Sequence, residues 1–471
     1  MMVDVAVIGA GPAGMAVARD LVARGLSVQM LDERAGPGGN VHAAALHRPV
    51  ASASVFGAEY QKGAAAVQAF AAADIPVAYG ASVMRVEGQV VHYRLNGRMR
   101  QLEAKRLVLA TGAIERPVPF PGWDLPGVIG AGAFQLILKQ SRVVPGGDYV
   151  IAGNGPLVLL LACQLLALGS KPSAILDTST APFRAGLAHL PALARNMGAV
   201  AQGLGFMARL RRAGVRVISG ISGLEARGGA AVEDITYTRH SGPGGHLKVG
   251  MVLVHEGVIP NTQLALALDC RSRWDAAQQC LVAQVDDWGE SSRPGTFIIG
   301  DAAGILGAEA APHAARLAAL RIAEQLGRPA DGTEAAEASA ARRALTRLRG
   351  LRAFLDAAYA PRLAATPPAD GTLICRCEQV TAGALRAALR DGARGPAQAK
   401  VFTRCGMGLC QGRICGNPVT RLIAAETGQD PGAIGGYHIR FPLKPLSLTE
   451  LAEEGRGEDT ASRGEFHAPA V

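Results

Sequence analysis

The sequence has no long apolar run and few aromatic residues. Its longest apolar stretch, residues 157–168, contains Gln164 and is too short to cross a bilayer. Aromatic residues make up only 4% of the chain, and no basic stripe alternates with them, so nucleic-acid binding is disfavoured despite a net charge of +9. An apolar segment starts at Val3 with no basic leader before it, which argues against a signal peptide. These absences predict a cytoplasmic protein without a transmembrane segment, with peripheral attachment to the inner membrane as the alternative.

A redox-active cysteine pair is also missing from the first two thirds of the chain. The segment Gly38-Gly39-Asn40-Val41 has no cysteine, and Cys163, Cys270 and Cys280 form no Cys-x-x-Cys motif. Dithiol–disulfide chemistry is therefore not expected. Because Cys163 lies inside an apolar run, we interpret it as a core residue.

Near the C-terminus, by contrast, the cysteines are clustered. Cys375-x-Cys377 is followed, after 32 residues, by Cys410-x4-Cys415. Four thiolates on loops suit a [2Fe–2S] cluster, which moves one electron at a time. Structural zinc is the alternative, although its paired cysteines are usually two to four residues apart, and disulfides would require export. The spacing therefore predicts that Cys375, Cys377, Cys410 and Cys415 bind a cluster and that the protein handles electrons.

The surroundings of these cysteines are basic. Residues 372–445 contain ten Lys or Arg and four Asp or Glu, and Arg376, Arg404 and Arg413 stand close to the thiolates whose charge they would offset. Cys405 is a further cysteine beside the set. We interpret it as a small buried hydrophobe rather than a ligand.

The N-terminal segment has the full pattern of a dinucleotide-binding unit. An apolar strand, residues 3–8, precedes a Gly-x-Gly-x-x-Gly turn, and a helical pattern, a second strand and an acid follow. The glycines of such a unit allow a tight turn, close approach of the pyrophosphate and close packing of helix on strand, and the acid accepts from the ribose. The helix N-terminus favours phosphates. The residues expected to hold the dinucleotide are Gly9, Gly11, Pro12, Ala13, Gly14, Asp32, Glu33 and Gly39.

A second unit of this kind lies in the middle of the chain. The strand at 149–152 precedes Gly153-Asn154-Gly155-Pro156-Leu157-Val158, and Asp177 follows a helix and another strand. Val158 stands where glycine or alanine normally allows close packing. We expect an adenine nucleotide, NAD or ATP/ADP, on Gly153, Gly155 and Asp177, with a structural relic as the alternative. If a nicotinamide binds, Asp177 favours NAD, because a 2′-phosphate would meet a carboxylate.

Two further segments resemble the FAD signatures of two-dinucleotide-domain flavoproteins. They are Ala110-Thr111-Gly112, at the end of an apolar strand, and Gly300-Asp301, after the strand-like run Thr296-Phe297-Ile298-Ile299. The resemblance implies that Ala110, Thr111, Gly112, Gly300 and Asp301 contact FAD in the first unit. An ordinary exit from a strand is the alternative for Gly300-Asp301.

These motifs predict an α/β protein with two dinucleotide-binding, Rossmann-like domains, one inserted in the other, plus a small helical C-terminal [2Fe–2S] domain. Residues 1–117 and 285–328 would form the FAD-binding domain and 118–284 the second nucleotide-binding domain. A helical linker at 329–371, the cluster domain at 372–430 and a C-terminal extension and tail at 431–471 would complete the chain.

The segment Thr403-Arg404-Cys405-Gly406-Met407-Gly408-Leu409-Cys410-Gln411-Gly412-Arg413 resembles the bacterioferritin-associated-ferredoxin-like [2Fe–2S] domain. More particularly, it is similar to the version fused to flavoprotein A-type (α) subunits of opine and D-hydroxyproline dehydrogenases and of hydrogen cyanide synthase. The resemblance implies an oxidoreductase subunit that passes electrons from a partner amine-oxidising flavoprotein of the β type to an acceptor. A small ferredoxin-like subunit is a further candidate partner, and the amino-acid substrate would bind to the β-type partner.

Two other functions remain open on the sequence. A self-sufficient NAD(P)H-dependent reductase would use the second unit for nicotinamide, and a docking or iron-handling protein would use the cluster domain alone. No catalytic base can be assigned. Polar residues after the phosphate loop and after Gly300-Asp301 are candidates for contact with substrate, and they are His42, His47, Arg48, Glu309 and His313.

Overall fold

The computed structural model describes residues 2–46, 53–179, 186–328 and 332–454. Strands supply the centre of each nucleotide-binding domain. In chain order they are β1 (Met2–Ile8), β2 (Val28–Asp32), β3 (Val77–Tyr79), β4 (Ser82–Glu87), β5 (Val90–Leu95), β6 (Arg98–Leu109), β7 (Ala113–Glu115), β8 (Val128–Gly130), β9 (Tyr149–Gly153), β10 (Ala174–Asp177), β11 (Val217–Ser219), β12 (Ile221–Arg227), β13 (Asp234–Arg239), β14 (Gly245–Lys248), β15 (Met251–His255), β16 (Val258–Pro260), β17 (Ser272–Asp275), β18 (Cys280–Ala283), β19 (Thr296–Ile298), β20 (Leu373–Cys375) and β21 (Val380–Thr381).

Helices cover the sheets and form most of the C-terminal region. They are α1 (Pro12–Ala23), α2 (Ala53–Phe56), α3 (Ala58–Ala71), α4 (Ala131–Ser141), α5 (Pro156–Ala167), α6 (Leu190–Ala194), α7 (Met197–Arg212), α8 (Gln263–Ala267), α9 (Ala311–Gln325), α10 (Glu334–Ala358), α11 (Ala382–Arg390), α12 (Pro396–Thr403), α13 (Gly416–Thr427), α14 (Pro431–Ile434) and α15 (Leu448–Glu454). No helix in these described ranges is both long enough and apolar enough to span a membrane.

The first sheet has the strand order β3-β2-β1-β6-β5-β4, and β19 pairs with β6. β1 runs parallel to β2 and β6, with Ile8 opposite both Leu31 and Leu109, and Ile298 of β19 also lies opposite Leu109. The carboxyl ends of four strands therefore meet at one edge. This edge is where open parallel sheets bind ligands, and all three sequence motifs of the first unit follow directly after it.

The second sheet has the order β11-β10-β9-β15-β8, and every pairing in it is parallel. Gly153, at the end of β9, lies opposite both Asp177 and His255. A three-stranded antiparallel sheet, β12-β13-β14, packs beside it, and the antiparallel pair of β7 and β16 carries the chain between the two domains. The predicted α/β class, with one Rossmann-like domain inserted in the other, is confirmed.

The C-terminal region packs against the first domain. Buried residues of α11 and α13, such as Leu385 and Val419, share one hydrophobic core with Val83 of β4 and Leu264 of α8. The chain then returns to the first sheet, where Leu443 N donates to Met84 O at 2.8 Å. Burial of this shared apolar surface stabilises the contact between the C-terminal region and the first domain.

Residues 263–283 belong to this same contact region. Leu264, Cys270 and Ala283 lie in the core that joins the first domain to the C-terminal region. The domain limits predicted from the sequence, including the limit at 284, stay predictions. The predicted helical linker contains α10, which packs against α9 through Leu345 and Leu317. Residues 329–331 of that linker and 455–471 of the tail lie outside the described residues.

Candidate cofactor sites

The glycines of the first turn are required by the backbone around them. Gly9 has a φ of +106°, and a Cβ there would lie 2.4 Å from Ala110 O; a Cβ on Gly14 would lie 1.8 Å from Gly9 O. Gly11 differs, because its nearest neighbour would be Gly39 Cα at 3.9 Å. Two glycines thus permit close packing of strand, turn and helix, while Gly11 keeps space open at the N-terminus of α1. This is the arrangement that a pyrophosphate needs.

Asp32 lies at the end of β2 and is buried. Its Oδ2 accepts from Ala10 N at 2.5 Å and its Oδ1 from Arg34 N at 2.7 Å. Burial raises the pKa of Asp32, and these two hydrogen bonds oppose the shift. Glu33 instead pairs with Lys444 Nζ at 2.5 Å, which ties the C-terminal extension to the predicted ribose side of the site.

The separate sequence motifs converge on this turn. A Cβ on Gly300 would lie 2.8 Å from the Ala13 Cβ, and Ala110 N donates to Ile8 O at 2.8 Å. Asp301 Oδ1 accepts from Leu306 N and Gly307 N, both at 2.9 Å, and so shapes the loop that follows. Segments around residues 10, 110 and 300 therefore lie together at one edge of the sheet, and their contact with FAD stays a prediction.

Thr111 and Gly112 connect this site with a segment that sequence reasoning missed. Thr111 Oγ1 donates to Asn261 O at 3.0 Å, and Asn261 N donates to Gly112 O at 2.9 Å. Asn261 follows β16, the return crossover from the second domain, so no short-range sequence pattern indicates it. A Cβ on Gly112, whose φ is +66°, would meet no atom within 4 Å.

In the second unit the two glycines of the turn have different surroundings. Gly153 has a φ of +135°, and a Cβ there would lie 1.7 Å from His255 O, whereas one on Gly155 would meet nothing within 4 Å. Val158 is buried at the start of α5. Asp177 accepts from Ser179 N and Ser179 Oγ, both at 2.9 Å. The turn and the acid are thus placed as in a dinucleotide unit, and nucleotide binding here stays a prediction.

The segment 359–364, which follows α10, crosses this second turn. Asn154 Nδ2 donates to Ala360 O at 3.1 Å. Glu256, which is buried, accepts from Thr178 Oγ1 at 2.9 Å. Its carboxylate also accepts from three successive backbone N–H groups, those of Arg362 (3.2 Å), Leu363 (3.0 Å) and Ala364 (2.7 Å).

Burial raises the pKa of Tyr359, and the nearby carboxylate of Asp177 adds to the shift. The chain's own segment therefore lies beside the predicted nucleotide residues. Sequence reasoning missed Glu256, although an acid directly after the apolar strand β15 was a usable signal.

Three cysteines meet in the C-terminal domain. The Sγ atoms of Cys375, Cys405 and Cys415 all lie within 4.8 Å of one another, and all three residues are buried. Cys377 is exposed and hydrogen-bonds to Cys410, which is partly buried. All four predicted ligands therefore lie in one region. Cys405 is buried as expected. Its Sγ also lies among the other buried thiols, so the interpretation of Cys405 as a small hydrophobe is incomplete.

Hydrogen bonds among the buried thiols shift their pKa values in opposite directions. Hydrogen bonds from Cys405 and Cys415 lower the pKa of Cys375 to about 2. The hydrogen bond to Cys375 in turn raises the pKa of Cys405 to about 12 and raises that of Cys415 strongly. The group thus holds one thiolate readily and resists a second negative charge. Iron ions supply the positive charge that would let several of these thiols ionise together.

Tyr437 closes the cysteine site from the side of the C-terminal extension. Its hydroxyl lies 3.8 Å from Cys415 Sγ, and burial together with the neighbouring thiols raises its pKa. Its ring fills the space beside Gly406 and Gly412, where an added Cβ would approach ring atoms to 2.7 Å. Gly406 and Gly412 are thus explained by a tyrosine 31 and 25 residues away, which no motif identifies.

A small cavity lies between the two cofactor sites. Its volume is about 60 Å³, and its lining includes Asn261, which holds Thr111 and Gly112, together with Gly412 and Tyr437 from the cysteine site. Residues that contact the segment 111–112 and residues that contact the cysteine site therefore line one cavity.

The polar residues that are candidates for contact with substrate lie in different surroundings. His42 is buried, and burial followed by the Lys139 charge lowers its pKa to about 4. Burial lowers the pKa of Lys139 to about 8, and its Nζ donates to Val41 O at 2.9 Å. Glu309 forms an ion pair with Arg347. His47 and Arg48 lie outside the described residues, and nothing assigns substrate contact to His313.

Comparisons with known proteins agree with this geometry. The family model for pyridine nucleotide-disulphide oxidoreductases matches residues 3–320, and the model for BFD-like [2Fe–2S] binding domains matches 373–425. The chain is 39% identical to the A-type subunit of opine oxidase from Agrobacterium tumefaciens, over 95% of this chain and 91% of that relative. It is 34% identical to the HcnB subunit of hydrogen cyanide synthase from Pseudomonas aeruginosa, over 95% of this chain and 98% of that relative.

Among solved structures, L-proline dehydrogenase from P. horikoshii superposes with a TM-score of 0.68, covering 96% of this chain and 79% of that one. At 19% identity this likeness supports the fold alone.

The fold and its two sites define a flavin oxidoreductase with two Rossmann-like domains, one FAD site and one [2Fe–2S] domain. The chain belongs to the pyridine nucleotide-disulphide oxidoreductase family, in the group of FAD and [2Fe–2S] subunits that includes HcnB and the A-type subunit of opine oxidase.

Proposed function

We propose that this chain is the electron-transferring subunit of a heteromeric amino-acid or amine dehydrogenase. A partner flavoprotein of the β type oxidises the C–N bond of an opine, D-hydroxyproline, proline-like amino acid or glycine, and the electrons pass through this chain to an acceptor. The names of the relatives support this assignment, because HcnB and the opine oxidase relative are each one subunit of a larger enzyme. We place the complex in the cytoplasm or at the inner membrane surface.

The observation that carries the proposal is the adjacency of the two cofactor sites. Asn261 N donates to Gly112 O, and Asn261 lines the same cavity as the cysteine-loop residue Gly412. When bound, FAD accepts electrons in pairs and a [2Fe–2S] cluster carries them singly. A chain that holds both sites next to each other suits a subunit that divides electron pairs.

The residues have distinct tasks in this account. Gly11 leaves space for the FAD pyrophosphate at the N-terminus of α1, Gly9 and Gly14 let strand, turn and helix pack closely around it, and Asp32 offers a buried carboxylate to the ribose. Thr111, Gly112, Gly300 and Asp301 shape the rest of the FAD site. The proposed cluster ligands are Cys375, Cys377, Cys410 and Cys415.

A second candidate function is a self-sufficient NAD(P)H-dependent reductase. The open space at Gly155 and the position of Asp177 favour a nucleotide in the second domain. Against NAD(P)H chemistry, Asn154 and Glu256 bind the chain's own segment 359–364 beside the turn. We therefore propose at most an adenine nucleotide, NAD or ATP/ADP, with a structural role in this domain.

An anaerobic titration of the purified, flavin- and iron-loaded chain separates the two functions. We expect NADH and NADPH to leave the visible absorbance unchanged, while dithionite bleaches both centres. Co-expression with a β-type partner should then produce dehydrogenase activity that neither protein has alone. Rapid stoichiometric bleaching by NADH would overturn the proposal and establish the reductase.

A further inference from the structure

A loop of the first domain, residues 38–43, lies against the glycine turn that is expected to bind pyrophosphate. Gly38 N donates to Ala10 O at 2.9 Å, and Gly39 Cα is the atom nearest to an added Gly11 Cβ, at 3.9 Å. Gly38 and Gly39 have φ values of +107° and +58°, which favour glycine. We name this segment the 38–43 loop. Because it borders the space at Gly11, its shape decides how much of that space is open.

The other side of the 38–43 loop is bound by a lysine that is distant in sequence. Lys139 lies on α4, the helix that follows β8 of the second sheet, and it is buried. Its Nζ donates to Val41 O at 2.9 Å and to Asn40 O at 3.3 Å. The loop therefore lies between the glycine turn of the first domain and a helix of the inserted domain, with hydrogen bonds to both.

A tyrosine of the first domain completes the surroundings of this ammonium group. Lys139 Nζ lies 5.9 Å from the centroid of the Tyr60 ring, and aromatic faces attract cations at this distance. The Tyr60 hydroxyl donates to Ala43 O at 2.7 Å. The lysine and the tyrosine thus contact each other, and together they bind three carbonyl oxygens of one short loop.

The positive charge of Lys139 is buried at a cost. Among the described residues no carboxylate forms an ion pair with it, and its donors bind backbone carbonyl oxygens. Burial, followed by the charge of Arg34, lowers the pKa of Lys139 to about 8. An apolar side chain of the same length would fill this place without the desolvation of a charge. Packing alone therefore does not account for a lysine here.

We propose that Lys139 is a positioning residue for FAD, because its ammonium group holds the 38–43 loop in the shape that leaves Gly11 open to the pyrophosphate. The inserted domain would then control FAD binding in the first domain through one side chain of α4. The inference rests on the FAD site of the proposed function and adds to it a residue that no glycine motif indicates.

The affinity of the flavin-free, full-length chain for FAD tests this role. Binding is followed at neutral pH by the quenching of flavin fluorescence. Lys139→Met keeps the length of the side chain but removes the donors to Asn40 O and Val41 O. Because the loop then loses two charge-assisted hydrogen bonds, we expect the dissociation constant for FAD to rise about tenfold or more. An unchanged dissociation constant in a folded Lys139→Met chain would overturn the inference.

Gln135→Met is the matched control. Gln135 lies one turn earlier on α4, is also buried, and donates to Gln164 Oε1 at 3.0 Å rather than to the loop. The substitution removes a buried hydrogen bond of the same helix, so it should lower stability in denaturant while leaving the affinity for FAD unchanged. Equal weakening of FAD binding by both variants would assign the effect to the packing of α4 and would contradict a specific role of Lys139.

The pH dependence of FAD binding is a second readout, which the unaltered chain itself provides. Its affinity for FAD should fall about fivefold as the pH rises through 8, because a neutral amine donates weaker hydrogen bonds than an ammonium group. Lys139→Met should show no such step. A flat profile in the unaltered chain would contradict the role of the ammonium group even if Lys139→Met failed to fold.

The other titratable groups around Lys139 do not produce this step. The pKa of His42 is lowered to about 4, so its imidazole is neutral throughout the range. Arg34 carries its charge at every pH in question. Tyr60 keeps its proton in the bond to Ala43 O, and Glu59 on α3 pairs with Lys62 Nζ at 2.9 Å. A step that is equal in the unaltered chain and in Lys139→Met would therefore arise elsewhere and would contradict the inference.

The same titrations separate failure of this inference from failure of the proposed function. An unaltered chain that does not bind FAD at all contradicts the proposed function. An unaltered chain that binds FAD, together with a Lys139→Met chain of equal affinity, contradicts only the positioning role of Lys139.

Discussion

Arg116 Nη1 donates to the carbonyl oxygen of Gln279 at 3.1 Å in the interior of the protein. The same oxygen accepts from Asn417 Nδ2 of the cluster domain at 3.0 Å, and Arg421 Nη1 donates to Gln279 Oε1 at 2.7 Å. Gln279, which has a left-handed φ of +49°, thus joins the crossover to the second domain with the cluster domain. Any relative movement of these parts has to disturb this junction.

Replacing Arg116 should destabilise the protein. Its guanidinium is buried and also donates to Glu256 O at 2.9 Å and to Gln278 O at 2.5 Å. Arg116→Met leaves these carbonyl oxygens without a donor, and we expect a loss of about 3 kcal/mol in the free energy of unfolding. Denaturant unfolding followed by tryptophan fluorescence measures it. Arg227→Met, at an exposed pair with Glu225, is the control and should change stability little.

The packing of the first glycine turn predicts a flavin-binding defect. An Ala side chain at position 14 would place its Cβ 1.8 Å from Gly9 O, so helix and strand must separate at a cost of about 2 kcal/mol. Gly14→Ala should therefore be purified with most of its flavin missing. Gly198→Ala, on α7 with no atom within 4 Å of the new Cβ, should keep a normal flavin-to-protein absorbance ratio. Full flavin occupancy of Gly14→Ala would contradict the FAD assignment.

Serine substitutions distinguish the cluster ligands from Cys405. Cys410→Ser should lose the cluster and keep the flavin, because serine is a poor replacement for a thiolate ligand of iron. Cys405→Ser should retain iron and sulfide, with a shift in the reduction potential of the cluster, since its Sγ lies in the buried group without being a predicted ligand. Iron and sulfide analysis checks both variants. Loss of iron from Cys405→Ser together with retention in Cys410→Ser would exchange their roles.

Glu256 should hold segment 359–364 in place. Glu256→Gln replaces a carboxylate that accepts four hydrogen bonds by a group with only one acceptor atom, at a cost of about 2 kcal/mol. The amides of residues 362–364 should exchange faster in hydrogen–deuterium exchange mass spectrometry. Glu233→Gln, whose carboxylate accepts from Gly229 N in an exposed turn, is the matched control and should leave those amides protected. Unchanged protection in both variants would contradict the role of Glu256.

His42 should make stability depend on pH. Its folded pKa is about 4, below the value of 6.5 for a free imidazole, so the unfolded chain binds the proton more readily. Stability is therefore full above pH 6.5 and falls as the pH decreases from 6.5 toward 4, by about 3 kcal/mol in all. His42→Leu should flatten that part of the profile, and His246→Leu, at an exposed site, should not. Parallel profiles for His42→Leu and the unaltered chain would show that other groups cause the loss.

Local sequence patterns were sufficient to predict the parts of the sites that lie within one short segment. The first glycine turn with Asp32, the second turn with Asp177 and the cysteine pairs each follow from a fixed spacing, since strand, turn and helix geometry repeats in every dinucleotide unit. The resemblance to flavoprotein signatures implied that the segments near residues 110 and 300 lie at the first turn, and the parallel pairing of β6 with both β1 and β19 brings these segments to one edge of the sheet.

The sequence by itself determined the α/β class, the inserted second domain and the chemistry of the two cofactor sites, because glycine conformation and thiolate chemistry act locally. Only the tertiary structure decided that Cys405 lies among the buried thiols, that Tyr437 closes the cysteine loop and that Glu256 binds the segment after α10. The same is true of the junction at Gln279. These contacts join residues far apart in the chain, and they depend on how the hydrophobic cores of three regions pack together, which no local spacing encodes.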